Sequence, residues 1–424
     1  MKNFAGLGIA LLLLLGSTGQ ARQSAATVFT GATVLDGTGS AIPNAVVVVR
    51  DGRIESIGAG SQTPRPAEAR TVDVRGKFLM PGMITAHAHI SDIDGLKPRA
   101  YTDANTLRQL GVFARYGVTS VWSLGGEQAP AFKARETQSS ASLDRARIFL
   151  AGDIITGATP EAARAMVAKV AAGKPDIIKI RVDDNLGAAQ KMTPAVYTAV
   201  IDEAHKLNLR VAAHIYYLDD AKRLLKAGVD VIAHSVRDKE IDAEFISLMK
   251  ARDVPYCPTL TRELSTFVYE STPAFFADPF FTKEADAAVV AQLKEPARQA
   301  AMAKSASAQT YKAQLPLAER NLKKAIDAGV TIVMGTDTGP FPERFQGYFE
   351  HVELEMMVQS GLMPAQALKS ATGDAARGLK MKDIGTLAPG HWADIIVLNA
   401  DPRRDIKNTR AIDSVYIAGN RVAR

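Results

Sequence analysis

Two histidines one residue apart, His87 and His89 in the run "LMPGMITAHAHI", are the first side chains here whose type and spacing suggest chemistry. On a strand, alternate residues share a face, so both imidazoles reach one metal ion; a pair of purely structural histidines is the other reading. Four further candidates stand near the ends of later apolar runs: Lys179 in "PDIIKI", His214 in "LRVAAHI", His234 in "VDVIAH" and Asp337 in "TIVMGTD". Of the seven histidines, four fall at such places, and His205, His351 and His391 lie elsewhere. An ionised Asp337 emerging from an apolar strand needs a cation or hydrogen bonds around it. A helix N-cap meets that need, and so does a metal, beside which the carboxylate also exchanges a proton with water. Lys179, desolvated among cations, moves toward the neutral amine, which adds carbon dioxide to form a carbamate with two oxygens able to bridge two metals. A salt-bridged lysine is the alternative.

The elements that must position these residues follow from periodicity. Short apolar runs ending near 90, 124, 152, 180, 215, 234, 260 and 337 alternate with amphipathic helical stretches, the pattern of βα units. Eight such runs predict an α/β fold, a (β/α)8 TIM-like barrel with its active site at the C-terminal strand ends; an open doubly wound sheet is the alternative. Residues 26–76 and 381–424 instead alternate apolar and polar residues around Asp-Gly and Pro-Gly turns. They predict a small composite β-sandwich domain formed by the N- and C-terminal segments, with the barrel spanning 77–380. After "CPTL" an insertion, 261–315, carries Phe267, Tyr269, Phe275, Phe276, Phe280 and Phe281 before an Ala- and Lys-rich stretch. It is either a lid over the barrel mouth or a helical hairpin whose aromatics are core.

Composition narrows the classes. The 424 residues are 47% hydrophobic and 23% charged, enough for one large core and a smaller one. Residues 1–21 carry Lys2, an apolar stretch from Ala5 to Leu15, and the small residues Gly19 and Ala21; this predicts a signal peptide and a secreted or periplasmic mature protein. No later run predicts a stable membrane span. The single cysteine, Cys257, excludes an intramolecular disulfide framework. The net charge of +6 is scattered rather than clustered, which argues against a nucleic-acid partner. Oligomeric state stays open, a homo-oligomer included.

Together, "LMPGMITAHAHI", "DIIKI", "VAAHIYY", "AGVDVIAHS", "PTL", "GTDTG" and "GTLAPGHWADIIVLNADP" resemble the binuclear metal branch of the amidohydrolase superfamily, similar to imidazolonepropionases and Xaa-Pro dipeptidases or carboxypeptidases. The resemblance covers nearly the whole mature chain. It implies two divalent metal ions, Zn(II) foremost, with His87, His89 and Asp337 on the first, His214 and His234 on the second, and carboxylated Lys179 bridging both. A metal-bridging hydroxide would attack an amide bond in a dipeptide or N-acyl amino acid, Asp337 carrying its proton to the leaving amine. Tyr216, with Tyr217 as substitute, would hydrogen-bond the carbonyl oxygen. The same site implies, as an alternative, a lactonase, esterase or phosphotriesterase-like hydrolase. The segment "RVDDNLG" departs from the longer Gly-rich loop common in peptidase-like relatives; there Arg181 either meets a substrate carboxylate or pairs with Asp183 or Asp184.

Overall fold

The computed structural model describes Met1 and residues 25–60 and 62–423. Apart from Met1, the segment expected to be a signal peptide lies outside the described residues.

The described chain opens with β1 (Thr27–Leu35), β2 (Ala41–Arg50), β3 (Arg53–Ala59), β4 (Arg70–Asp73) and β5 (Phe78–Pro81). In β2 the period of two is explicit: Val47 and Val49 join Phe29, Val34 and Ile54 in one core, while Val46 and Val48 join Ala26 and Val28 in another. Asp51 and Gly52 both take positive φ, 51° and 77°, which closes the β2–β3 hairpin as an Asp-Gly pair allows.

The barrel strands follow: β6 (Met83–Ala88), β7 (Val118–Ser123), β8 (Arg147–Leu150), β9 (Ile178–Arg181), β10 (Val211–His214), β11 (Val231–Ala233) and β12 (Tyr256–Cys257). All their pairings are parallel, in the orders β6-β7-β8 and β9-β10-β11-β12. Three parallel bridges complete the ring. Ile155 with Ile180 joins the two sheets, Tyr256 with Ile332 brings in residues 331–338 as the eighth run, and Ala88 with Thr338 returns to β6. One inward side chain after another fills the barrel floor: Ile84, Trp122, Ala212, Val231, Cys257 and Val333.

The intervening helices cover the outside. Helix Leu218–Ala227 shows why: Leu218, Ala221, Leu224 and Leu225 are buried, and Gly228, at φ 105°, ends it in a left-handed cap.

The chain then returns to the small domain through β13 (Ile395–Leu398), β14 (Ile412–Ile417) and β15 (Asn420–Arg421). β13 pairs antiparallel with β5, so both ends build one eight-stranded sheet, ordered β15-β14-β13-β5-β1-β2-β3 with β4 on β1. A buried ion pair ties it to the barrel: Arg147 Nε lies 3.0 Å from Asp394 Oδ2, and the guanidinium stacks on Trp392 at 4.3 Å.

The insertion is helical, and its last helix, Ala306–Asp327, runs through Pro316, past the boundary expected at 315. Of its two readings, the aromatics fit the second. Tyr269, Phe276 and Phe281 are buried against Phe345, Tyr348 and Phe349 as a core of their own.

At Gly335 a Cβ would stand 2.5 Å from Cys257 Sγ and 2.8 Å from the His87 backbone nitrogen. Gly335→Ala should therefore overpack the seam of the eighth run, costing about 1–3 kcal/mol and lowering the melting temperature. An unchanged melting curve would show that this run is not seated against β6 and β12.

Candidate metal centre

Every element bearing a candidate ligand delivers it to the same end of the barrel. His87 is in β6 and His89 follows it; Lys179 is in β9, His214 closes β10, and His234 comes directly after β11. Asp337 comes from the eighth run, held there by backbone bonds from Asp337 to the His87 carbonyl (2.8 Å) and from His89 to the Thr338 carbonyl (2.7 Å). A Cβ at Gly339 would meet the His89 carbonyl at 2.0 Å, so the second glycine of "GTDTG" is needed for this approach.

Four donor atoms converge. Asp337 Oδ1 is 2.9 Å from His89 Nε2 and 3.3 Å from His87 Nε2, and Lys179 Nζ is 3.3 Å from that same His87 nitrogen. The His87, His89 and Asp337 ligand atoms all lie within 4.8 Å of one another. The ring of His234 sits 4.5 Å from that of His87 and 4.0 Å from that of His214.

Each of three imidazoles has its other nitrogen engaged. His89 Nδ1 donates to the Gly125 carbonyl (3.1 Å), His214 Nε2 to Asp183 (2.6 Å), and His234 Nδ1 meets the Thr259 hydroxyl (2.7 Å). His214 Nδ1 and His234 Nε2 are thereby left to a cation, the latter buried with no hydrogen-bond partner among the described residues, while His89 Nε2 faces Asp337 Oδ1. A nitrogen-and-carboxylate donor set with its outer nitrogens fixed fits divalent metal binding.

Burial sets the charges. It drives His87 and His234 well below the ordinary imidazole value and His214 down to about 3, so the rings are neutral lone-pair donors. It lowers Lys179 to about 8, against the opposing pull of Asp337. Burial works to raise Asp337, but the adjacent Arg344 guanidinium and the hydrogen bond with His89 outweigh it and hold the carboxyl well below its usual range. Backbone conformation also serves the site. Asp337, His234 and Thr259 take φ of 59°, 75° and 49°, values uncommon outside glycine that concentrate where side chains must be aimed.

Tyr216, proposed from sequence as a carbonyl donor, is buried just beyond β10 with its ring under Arg237 at 4.7 Å. Tyr217 instead donates to Asp184 at 2.9 Å. Arg181 Nε bonds Asp183 Oδ1 at 2.7 Å, so of its two readings the ion pair is what the structure contains. That pair is more than surface decoration, since the other Asp183 oxygen holds His214. A groove of about 300 Å³, lined by Ile155, Thr156, Arg181, Asp183, Lys191 and Met192 among others, opens beside it.

Sequence reasoning missed three contributors. Asp183 orients His214. Glu127, buried, accepts from Ser123 Oγ and from the amides of Gly125 and Gly152, shaping the loop whose carbonyl fixes His89. Arg344 pairs with Asp337. Asp183 is three residues past the end of "IIKI", which placed it at the mouth; nothing in the sequence marked the other two.

Residues 78–422 match the amidohydrolase family. Ochratoxinase of Aspergillus niger is 25% identical over 96% of this chain and 88% of its own length. Imidazolonepropionase of Deinococcus deserti is 35% identical over 24% of this chain and 26% of its own. Among solved structures, a Bifidobacterium longum protein provisionally named a prolidase superposes with a TM-score of 0.75 at 26% identity, covering 95% of each chain.

If Asp183 positions His214, Asp183→Asn should weaken zinc binding roughly 10–100-fold, read by competition with a chromophoric chelator. Equal affinity in both proteins would leave Asp183 as the partner of Arg181 alone.

Proposed function

The chain belongs to the amidohydrolase family, and from that premise we propose that it hydrolyses an amide bond in a dipeptide or N-acyl amino acid with two divalent ions, Zn(II) foremost. The observation that carries this reading is the meeting of His87 Nε2, His89 Nε2, Asp337 Oδ1 and Lys179 Nζ within hydrogen-bond distances, with the unpartnered His234 Nε2 beside them. The substrate class draws support from relatives named ochratoxinase and prolidase.

In this reading His87, His89 and Asp337 would hold one ion and His214 and His234 the other, with Lys179 contributing as a carbamate. Bound there, the ions would activate water and polarise the scissile carbonyl. The chain supplies the rest. Asp337, ionised in its Arg344 ion pair, accepts a proton at its carboxylate from the attacking water and returns it to the departing nitrogen. Tyr216, whose phenol burial keeps protonated, donates to the carbonyl oxygen as charge builds there. The composition of residues 1–21 supports export of the mature enzyme.

Hydrolysis of a dipeptide and N-acyl amino acid library should stop on chelation and return with zinc, more fully when bicarbonate is present to carboxylate Lys179. Asp337→Asn should lower kcat about 10²–10⁴-fold. Turnover that survives chelation removes the metal from the proposal. A panel in which lactones or phosphotriesters react and every amide fails moves the chain to another bond.

A further inference from the structure

Beyond the candidate ligands, the barrel mouth buries a cluster that the mechanism does not use. Arg237 follows β11 and Arg262 follows β12; they are 0% and 7% exposed, and Glu263, between them, is 0% exposed. Glu263 Oε1 lies 3.2 Å from Arg237 Nε and its Oε2 2.9 Å from Arg262 Nη1. One carboxylate thus faces two guanidinium groups. The third arginine nearby, Arg344, is already matched by Asp337.

The donors are as unbalanced as the charges. Arg237 Nη1 donates to the Ser235 carbonyl at 2.7 Å, but its Nε and Nη2, and Arg262 Nε, have no hydrogen-bond partner among the described residues. Each guanidinium has a tyrosine against its face, Arg237 on Tyr216 at 4.7 Å and Arg262 on Tyr311 at 4.4 Å; with Arg262 Nη2 on the Tyr311 hydroxyl and Arg237 Nε facing Glu263, Arg237 Nη2 and Arg262 Nε remain for an acceptor. The cluster borders the metal centre: the Arg262 charge acts on both His214 and Asp337.

Two buried guanidinium groups that share one carboxylate leave a positive charge and N–H groups available to an anion. We propose that Arg237 and Arg262, braced by Glu263, form the subsite for a free carboxylate of the substrate, bound by charge-assisted hydrogen bonds. Because the Tyr216 ring lies on Arg237, a carboxylate held there stands beside the residue proposed to face the scissile carbonyl. The enzyme then acts on acids whose amide bond lies next to a free carboxyl end, and capped substrates fit poorly. The inference rests on the amide-hydrolase reading for its role, yet binding tests it without turnover.

The probes are L-leucine with L-leucinamide and L-phenylalanine with L-phenylalaninamide, titrated calorimetrically into the zinc-loaded protein. Each pair differs only in the carboxylate. The wild type should prefer both acids, and Arg237→Gln and Arg262→Gln should each weaken acid binding roughly 30-fold or more while leaving the amides nearly unchanged. Arg262→Lys, which keeps the charge and loses the fork, should fall between, and circular dichroism shows whether each variant folds. No preference in the wild type overturns the subsite without any variant, and a preference undiminished in folded Gln variants overturns it as well, leaving the acid to the metals. If preference and its loss are seen while no amide is hydrolysed, the subsite stands and the hydrolase reading fails. If amides are hydrolysed with no acid preference, the reverse holds.

Discussion

The site depends on holding imidazoles neutral and aimed in a place without water. Burial makes the protonated ring unfavourable, and a fixed partner on the outer nitrogen decides where the lone pair points. Gly125 does this for His89, Asp183 for His214 and Thr259 for His234. These partners sit in the loops after β7, β9 and β12. Hence the donor set is a property of the whole ring of strand ends, and its precision comes from the hydrogen bonds that keep adjacent loops in step.

A second layer of buried carboxylates holds those loops. Helix Tyr348–Gln359 carries Glu350 and Glu353 one turn apart, both buried. Glu350 accepts from the hydroxyls of Thr336 (2.6 Å) and Thr338 (2.9 Å), on either side of Asp337. Glu353 accepts from the amides of Leu260 and Thr261 at 2.8 Å each, just past the Thr259 that holds His234. Burial raises the Glu353 pKa to about 7. One helix thus pins the strand ends that carry Thr259 and Asp337, and the strained backbone at those two residues is held from behind.

Much of this was legible in the sequence because it obeys simple periods. Eight apolar runs marked the strands, and side chains at their ends marked the candidate ligands, since strand direction alone carries those residues to the mouth. The alternation in "AVVVVRDGRIESIG" marked the small sheet. What stayed hidden depends on contacts between distant segments. Glu127, Arg344, Glu350 and Glu353 are charged residues in helices or loops, a pattern that ordinarily reads as solvated surface. Arg237 and Arg262 gave no sign of burial, because the tyrosines that cover them come from other stretches. The insertion was ambiguous for the same reason: Phe276 and Phe281 needed Phe345 and Phe349, some seventy positions further along the chain, to become core.

The pairing of β5 with β13 joins residues 78–81 to 395–398, and it bears on how the chain acquires its shape. A ribosome makes polypeptide from the amino end, so the edge of β5 is synthesised more than three hundred residues before the strand that covers it. Until then it is an unpaired, apolar ribbon, the kind of edge that recruits strangers. Closing so long a loop is slow. The small domain can therefore be finished only after synthesis is nearly over, which makes it the last part to assemble and the part most in need of protection while it waits.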